Sequence, residues 1–338
     1  MKGDAITSRG GAISLRLAVA AILGCALLAI PQLVSPYQTL LLTYGLVMAI
    51  AALGFNLLLG YTGLLSFGHS AFFGTGAYTA ALMAKYLGIH SMETFILAGL
   101  ATAFLMSALF GVVCVRHTRI FFAILVMALS QVLWTLAYKF YGITNGTDGL
   151  NVPFPTLLGG SLTFRGAGAY QRFIVAYYYY VAVLFLLSAA VMWMITQSPF
   201  GKTLQSIRDN QTRAEFIGIR VRLCRWMAFL FSGTFTGLAG VLWLPLNRHV
   251  TPDVLYWPFS GEIVFLTVLG GFQSFSGPIV GALAFSYLKT YAVAWTEYWQ
   301  FLLGAVLIFL VMALPTGIVG TLELLAARLK WPSFKPRI

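Results

Sequence analysis

The sequence predicts an all-α, polytopic membrane protein with about ten transmembrane helices. Of its 338 residues, 59% are hydrophobic and only 9% are charged, whereas a soluble domain carries about 45–50% apolar and about 25% charged residues. A soluble globule could not bury so many apolar side chains and still cover its surface with polar groups. The composition therefore argues against a soluble enzyme, a disordered chain and a disulfide-rich scaffold.

Ten apolar runs are the candidate spans. A helix needs about 20 apolar residues to cross the hydrocarbon layer, and backbone groups in lipid must be paired within the segment, so each run is predicted to be helical. The runs cover residues 15–35, 39–60, 64–85, 94–114, 120–140, 173–195, 224–246, 258–271, 277–295 and 299–319. The run at 258–271 is short, so a half-helix or a re-entrant hairpin with 277–295 is predicted there.

The basic residues predict the topology. The formal net charge is +12, from 21 Lys and Arg against 9 Asp and Glu. These basic residues lie mainly in the breaks between apolar runs, which indicates membrane orientation rather than nucleic-acid binding. Most of them fall on one side when the N-terminus is placed in the cytoplasm. Both termini are therefore predicted to be cytoplasmic.

The chain, 1–338, is predicted to form one transmembrane domain with two soluble segments. Residues 141–172 form a predicted outer, periplasmic loop that is rich in Gly, Thr, Asn and Pro. Residues 196–223 form a predicted inner, cytoplasmic loop with the densest charge in the chain. The three cysteines are isolated from one another, so packing is their expected role.

The inner loop 196–223 has the pattern of a short amphipathic helix over 204–219. Apolar and charged residues alternate at helical spacing in this stretch. Asp209 and Arg213 are four residues apart and are predicted to pair on one face, while Arg208 is predicted to face differently from its neighbour Asp209. Gly218 is predicted to end the helix.

Catalytic chemistry is not predicted for this chain. Gly201-Lys202-Thr203 resembles the end of a nucleotide-binding loop, but Thr196 stands where that motif needs a glycine. His69 lies deep in an apolar run without a second ligand at helical spacing, so it is predicted to be a hydrogen-bonded packing residue rather than a metal ligand. No catalytic residue, metal site or bound cofactor is expected.

The inner loop resembles the cytoplasmic loop of ABC importer permeases. Ala214 and Gly218-Ile219 fit that loop, and Ile207-Arg208-Asp209-Asn210 with Arg213-Ala214 resemble its version in branched-chain amino acid permeases. The Glu-Ala-Ala opening that is usual in this loop is absent. In that family the loop docks on the ATPase subunit. The resemblance therefore implies a docking role for Ile207, Arg208, Asp209, Asn210, Arg213, Ala214, Gly218 and Ile219.

Two glycine-rich stretches resemble the same family. The run from Gly54 to Tyr78 resembles its Gly-Phe-Asn to Gly-His-Ser stretch, and Ser260 to Ala282 resembles its Gly-Gly and Gly-Pro-x-x-Gly region. Small residues permit close helix contacts, and glycine breaks can line a pathway. The candidate pathway residues are Asn56, Gly63, Ser66, Gly68, His69, Ser70, Glu262, Gly270 and Gly271. The resemblance covers about residues 40 to 320.

Glu262 and Lys289 are ionisable residues within or near the predicted spans. Such residues are costly in lipid and usually face a cavity or a partner. A structural ion pair or an interface position is expected for them. A direct contact between Glu262 and the substrate is the alternative.

The resemblance implies an ABC importer permease fold and one permease subunit of an ATP-driven importer in the bacterial inner membrane. The implied partners are a homologous second permease subunit, two cytoplasmic ATPase subunits that bind ATP-Mg, a periplasmic substrate-binding protein and the lipid bilayer. Branched-chain or other hydrophobic amino acids are the expected substrates, while urea, short amides and carboxylates stay open. An ion-gradient-driven secondary transporter is the different-class alternative, with Glu262 as its only candidate coupling carboxylate.

Overall fold

The computed structural model describes residues 30–117, 119–164, 166 and 168–329. Within them the regular structure is almost entirely helical, as the composition predicts. The part of the first predicted span that precedes residue 30 lies outside the described residues. The α-helices are α1 Pro36–Thr62, α2 His69–Tyr86, α3 Met92–Cys114, α4 Arg119–Lys139, α5 Tyr141–Thr144, α6 Ala169–Gln197, α7 Pro199–Asp209, α8 Gln211–Phe216, α9 Val221–Asn247, α10 Trp257–Gly270, α11 Gly277–Trp295, α12 Trp299–Ala313 and α13 Gly317–Leu329.

Six segments of the described chain are long and apolar enough to cross a membrane. They are α1, α3, α4 from Ile120, α6, α9 and the run Trp299–Leu325, which joins α12 to most of α13. Helices α2 and α11, with 18 and 19 residues, are less apolar and fall outside this set. The predicted count of about ten is thus not confirmed.

Helix α1 is the centre of the bundle. Of its most apolar stretch, 83% is buried, compared with 28% for α3 and for α4. It packs against α6, α9 and α11. Its first turn is capped by the hydroxyl of Ser35, which accepts a hydrogen bond from the N–H of Gln38, and Gly63 ends it in a left-handed conformation with φ 74°. Helices α3 and α4 therefore supply much of the apolar outer surface.

The bundle has two distinct ends. At one end α6 leads into α7 and α8, after which α9 begins; we call this the α7–α8 end. At the other end, β1 Leu150–Asn151 pairs antiparallel with β2 His249–Val250, in the register Leu150 opposite Val250; we call this the ribbon end. The ribbon joins the 141–172 loop to the connection between α9 and α10.

Two predicted spans are interrupted in the structure. The span 64–85 becomes helical only at His69, because residues 63–68 take an irregular path. The span 299–319 breaks after Ala313, because Pro315 has no N–H to continue the helix and Gly317 adopts φ 75°. Helix α10 has 14 residues and is therefore about 21 Å long, shorter than the ~30 Å hydrocarbon layer. It packs on α11 as a helical hairpin; that the hairpin is re-entrant stays a prediction.

Helix α2 crosses α9 at very close range. A Cβ added to Gly76 would overlap the carbonyl of Gly237, and a Cβ added to Gly240 would overlap the carbonyl of Phe73. Small residues allow helix backbones to approach closely inside a membrane bundle. The glycines of this crossing bring α2 into the core, where the α1–α2 junction then lies.

Candidate functional site

Helix α7 lies on the α7–α8 end with one face buried. Leu204 and Ile207 have exposed fractions of 0% and 2%, whereas the residues on the opposite side, such as Lys202 and Ser206, are exposed. Ser198 caps the helix by accepting a hydrogen bond from the N–H of Gly201, and Pro199 occupies the first turn. The amphipathic pattern that the sequence predicts is therefore present, but it begins earlier than residue 204.

A break at Asn210 divides the predicted helix 204–219 into α7 and α8. The Oδ1 of Asn210 accepts a hydrogen bond from the N–H of Arg213 at 2.9 Å and so caps α8. At the other end Gly218 adopts φ 87°. There the N–H of Gly218 donates to the carbonyl of Glu215, and the N–H of Ile219 donates to the carbonyl of Ala214. These two bonds form a Schellman motif, so Gly218 ends the helix as predicted.

The predicted pairing of Asp209 with Arg213 is wrong. Because Asn210 starts a new helix, the two residues no longer share one continuous helical face. Arg208, which was expected to face away from Asp209, instead donates from Nε and Nη2 to its Oδ1, each at 3.2 Å. The two side chains are 36% and 68% exposed, so this ion pair is worth only about 0–1 kcal/mol.

Arg208 also ties α7 to the last turn of α1. Its Nη1 donates to the carbonyl oxygen of Gly60 at 2.5 Å. A Cβ added to Gly63 would lie 2.9 Å from the Cγ of Arg208, so the arginine stem rests on the glycine backbone. A cation at a helix C-terminus is favourable because the last carbonyls lack partners within the helix. The predicted docking residue Arg208 thus also holds two segments of its own chain together.

The other predicted docking residues fall into two groups. Ile207 and Ala214 are each 2% exposed and form a small apolar cluster with Val221, against which Ile219 packs. They hold α8 on the bundle and do not form its surface. The exposed members are Asp209, Asn210, Arg213 and Gly218.

The structure adds two residues that the sequence reasoning missed. Phe216 and Ile217, at the end of α8, are 86% and 71% exposed. The sequence signal that could have identified them is an aromatic residue followed by a β-branched residue inside an otherwise charged loop. Ile217 lies one position past the end of α8, and its side chain is exposed together with that of Phe216.

The junction between α1 and α2 folds back into the bundle. His69 begins α2 beside Ser232, roughly three turns into α9. Its Nδ1 lies 2.9 Å from the Oγ of Ser66, and its Nε2 lies 2.8 Å from the Oγ of Ser232. Both ring nitrogens therefore have hydroxyl partners, and the side chain is fully buried. His69 is a hydrogen-bonded packing residue, which the sequence favoured over a metal ligand.

The first turns of α2 and α10 meet inside the bundle. The N–H of Ser70 donates to the Oγ of Ser260 at 2.8 Å, and the Oγ of Ser70 donates to the carbonyl of Leu255 at 3.0 Å. A Cβ added to Gly68 would overlap the carbonyl of Val126 on α4. In transporters, helix ends that meet inside the membrane often adjoin the pathway. In this conformation the junction is closely packed.

The second group of predicted pathway residues lies at the turn between α10 and α11. Asn56 donates from Nδ2 to the carbonyl of Ser274 at 3.5 Å, while its Oδ1 is buried without a hydrogen bond to the described residues. Gly271 adopts φ 106°. A Cβ added to Gly270 would overlap the carbonyl of Gly277. Seven of the nine predicted pathway residues are thus gathered in two packed clusters, while Gly63 lies under the stem of Arg208 and Glu262 pairs with Lys289.

Glu262 and Lys289 form the ion pair whose existence the sequence left open. The Nζ of Lys289 lies 2.8 Å and 2.7 Å from the two carboxylate oxygens of Glu262. The pair joins α10 to α11 and is partly buried. The side chain of Glu262 is 23% exposed and that of Lys289 is 25% exposed. Lys289 also lines a cavity.

The 141–172 loop is held in place at the ribbon end. The Oε1 of Glu93, at the start of α3, accepts a hydrogen bond from the N–H of Leu158 at 2.7 Å. The hydroxyl of Tyr141 donates to Oδ2 of Asp148 at 2.7 Å. This hydrogen bond, together with the negative charge of Asp148, raises the pKa of Tyr141 above its ordinary value. The loop therefore presents a defined surface.

The fold has a central helix surrounded by apolar segments that are long enough to span a membrane. Its helices cross closely at glycines, and some of them are interrupted. These features define a multi-pass membrane protein of the transporter class. The sequence model of the family described as the permease component of branched-chain amino acid transport systems matches residues 37–311. The chain belongs to this family of inner-membrane permeases, as its resemblance predicts.

Individual relatives agree with this assignment. The high-affinity branched-chain amino acid transport system permease protein LivM of Escherichia coli is 27% identical over 92% of this chain and 76% of its own length. LivH of Salmonella typhimurium, named as a permease of the same kind of system, is 25% identical over 83% of this chain and 94% of its own. BraD of Pseudomonas aeruginosa is 22% identical over the same shares. No solved structure matches the chain.

Proposed function

We propose that this chain is one of two homologous permease subunits of an ATP-driven importer. The observation that carries the proposal is the α7–α8 unit, a charged pair of helices that projects Phe216 and Ile217 and is tied to the central helix through Arg208. Similarity to both LivM and LivH, two differently named permeases, supports a second homologous permease as partner.

The surface of α8 suits docking of a cytoplasmic ATPase subunit. Phe216 and Ile217 are exposed beside the charged residues Arg213 and Glu215, which are also exposed. An exposed aromatic anchor within a polar rim is typical of an interaction site. Each of two ATPase subunits would bind ATP-Mg itself, so this chain would contribute neither nucleotide binding nor hydrolysis.

A movement of the ATPase would reach the core through α7. Leu204 is fully buried in the main core, and Arg208 bonds to the end of α1. A shift of α8 would therefore act on the α1 terminus and on residues 63–68, which lead to His69. Alternating access requires two arrangements of similar free energy that ATP and substrate bias. Tightly packed interfaces such as this one tend to switch between discrete arrangements rather than deform continuously.

Branched-chain or other hydrophobic amino acids are the proposed substrates, delivered by a periplasmic binding protein at the ribbon end. The names of the relatives support this class. Urea, short amides and carboxylates are the alternative cargoes. A secondary transporter is less well supported, because its one candidate coupling carboxylate, Glu262, is already neutralised by Lys289.

Copurification tests the docking role directly. The chain is expressed with the ATPase, permease and binding-protein genes that neighbour its own, and the complex is isolated in mild detergent. Phe216→Asp should abolish ATPase copurification, because it places a charge in an apolar contact. Leu158→Ala serves as the control, because Leu158 is an apolar residue of 63% exposure at the ribbon end. This variant should leave ATPase copurification unchanged. Normal copurification of the Phe216→Asp variant would contradict docking through α8.

A further inference from the structure

A cavity of about 390 Å³ opens between the start of α1, the end of α9 and the second half of α11. Its volume lies within the range of about 300–1,000 Å³ that is usual for small-molecule sites. We call it the α1–α11 groove. It lies towards the ribbon end, because α1 begins and α9 ends there. The lining includes Tyr44, Leu246, Ser286, Lys289, Thr290 and Val293.

Among the described residues that line the α1–α11 groove, Lys289 is the one cation, and it forms an ion pair with Glu262. Lys289 lines the groove and bonds both carboxylate oxygens of Glu262, at 2.7 Å and 2.8 Å. With about a quarter of each side chain exposed, the pair is neither sealed in the core nor dissolved in bulk water. Such a pair is weak evidence for stability, because apolar residues of similar size often stabilise as well. Ionisable residues inside a membrane protein's bundle usually pair with one another or face a cavity, and they often mark the path of a substrate.

Aromatic and apolar groups surround the pair. The ring of Trp299 lies 5.6 Å from the Nζ of Lys289. Tyr44, on the opposite wall, accepts a hydrogen bond from Nε1 of Trp243 at 3.0 Å and is thereby held in position. Leu246 and Val293 supply apolar surface. The α1–α11 groove therefore offers an ammonium group, a neighbouring carboxylate and an apolar wall within one small volume.

We propose that the α1–α11 groove binds a zwitterionic amino acid, with its carboxylate beside Lys289, its ammonium beside Glu262 and its side chain on the apolar wall. This inference rests on the proposed transport function and adds the place where the amino acid binds and the groups that hold it. A zwitterion that enters the ion pair leaves the net charge at zero and gives every charge an opposite neighbour. A simple anion or cation would leave one charge uncompensated in a partly desolvated site, which is costly. Urea or an uncharged amide could replace neither partner.

Photolabelling with photo-leucine, an amino acid with a diazirine side chain, tests the groove in the assembled complex. Label should appear in peptides of α1 and α11. Excess leucine should displace it, and 4-methylpentanamide, an uncharged amide with the same side-chain shape, should not. Thr290→Trp fills the groove and should lower labelling about tenfold, which corresponds to about 1.4 kcal/mol. Tyr291→Trp is the matched control, because Tyr291 is the next residue but is 61% exposed outside the groove.

Neutralising one charge tests the polarity of the site. Glu262→Gln and Lys289→Met should each abolish the labelling that leucine displaces, because photo-leucine carries the same two charges as leucine. If either variant fails to fold, the loss of labelling in Thr290→Trp still tests whether the amino acid binds in the groove. Label confined to segments other than α1, the end of α9 and α11, equal displacement by leucine and the amide, or a bound phospholipid that leucine does not displace would overturn the proposal. ATPase copurification is measured on the same samples, so loss of the ATPase would count against the importer and not against the groove.

Discussion

The guanidinium of Arg208 and the carbonyl of Gly60 join the charged helix α7 to the end of the central helix α1. The Nη1 of Arg208 donates to the Gly60 oxygen at 2.5 Å across 148 residues of chain. Because α1 is the most buried of the six candidate spans in the described chain, this contact connects the surface proposed to meet the ATPase with the core. Arg208 is therefore best explained as a positioning residue for α7 rather than as part of the docking surface alone.

Removal of this contact should uncouple hydrolysis from transport. In Arg208→Ala the Gly60 carbonyl loses a charge-assisted hydrogen bond, typically worth about 1.5–3 kcal/mol, and α7 loses its link to α1. We expect the complex to assemble and hydrolyse ATP while the amino acid transported per ATP falls severalfold. Uptake and hydrolysis in proteoliposomes measure that ratio. Arg222→Ala, at an exposed position in the first turn of α9, is the control, and an unchanged ratio for Arg208→Ala would exclude the link.

Gly68 should not tolerate a side chain. A Cβ there would overlap the Val126 carbonyl, and overpacking of this kind costs about 1–3 kcal/mol. Gly68→Ala is expected to lower the melting temperature in detergent and to reduce uptake. At Gly304, within α12, a Cβ would meet nothing within 4 Å, so Gly304→Ala should be neutral or slightly stabilising. Equal melting temperatures for the two variants would show that α2 can move away from α4.

His69 should behave as a structural residue. His69→Ala leaves the hydroxyls of Ser66 and Ser232 without their partner and creates a buried cavity, for which we expect a loss of about 2–5 kcal/mol. Uptake should then fall in proportion to the amount of folded protein, which size-exclusion chromatography measures. The half-buried His249, which bonds Asn151 at the ribbon end, provides the control His249→Ala. A well-folded His69→Ala protein without uptake would indicate a ligand role instead.

The predicted orientation can be tested with single cysteines in a variant whose three native cysteines are replaced by serine. Ser206→Cys on α7 and Ser161→Cys in the 141–172 loop both lie at exposed positions. The excess of basic residues around 196–223 predicts that this segment stays in the cytoplasm. In intact cells a membrane-impermeant maleimide should label Ser161→Cys and reach Ser206→Cys only after the membrane is opened. The reverse pattern would invert the topology.

Local patterns account for the parts of the site that the sequence predicted. The amphipathic spacing around Leu204 and Ile207, and the glycine that ends α8, depend on residues within a few positions of one another. The break at Asn210 was missed because its cap competes with helix continuation by only a small free energy. The exposure of Phe216 and Ile217 depends on how α8 lies on the bundle, with Ala214 as its buried residue.

The sequence by itself determined the class of protein, most of its apolar helices and the charged segment between α6 and α9, because composition, hydropathy and helical periodicity act over short stretches of chain. Only the tertiary structure decided which distant groups meet. His69 and Ser232 are 163 residues apart, Arg208 and Gly60 are 148 apart, and Lys289 and Glu262 lie on different helices. Such contacts depend on how the helices rotate and cross once glycines allow them to pack, and no local pattern specifies that geometry.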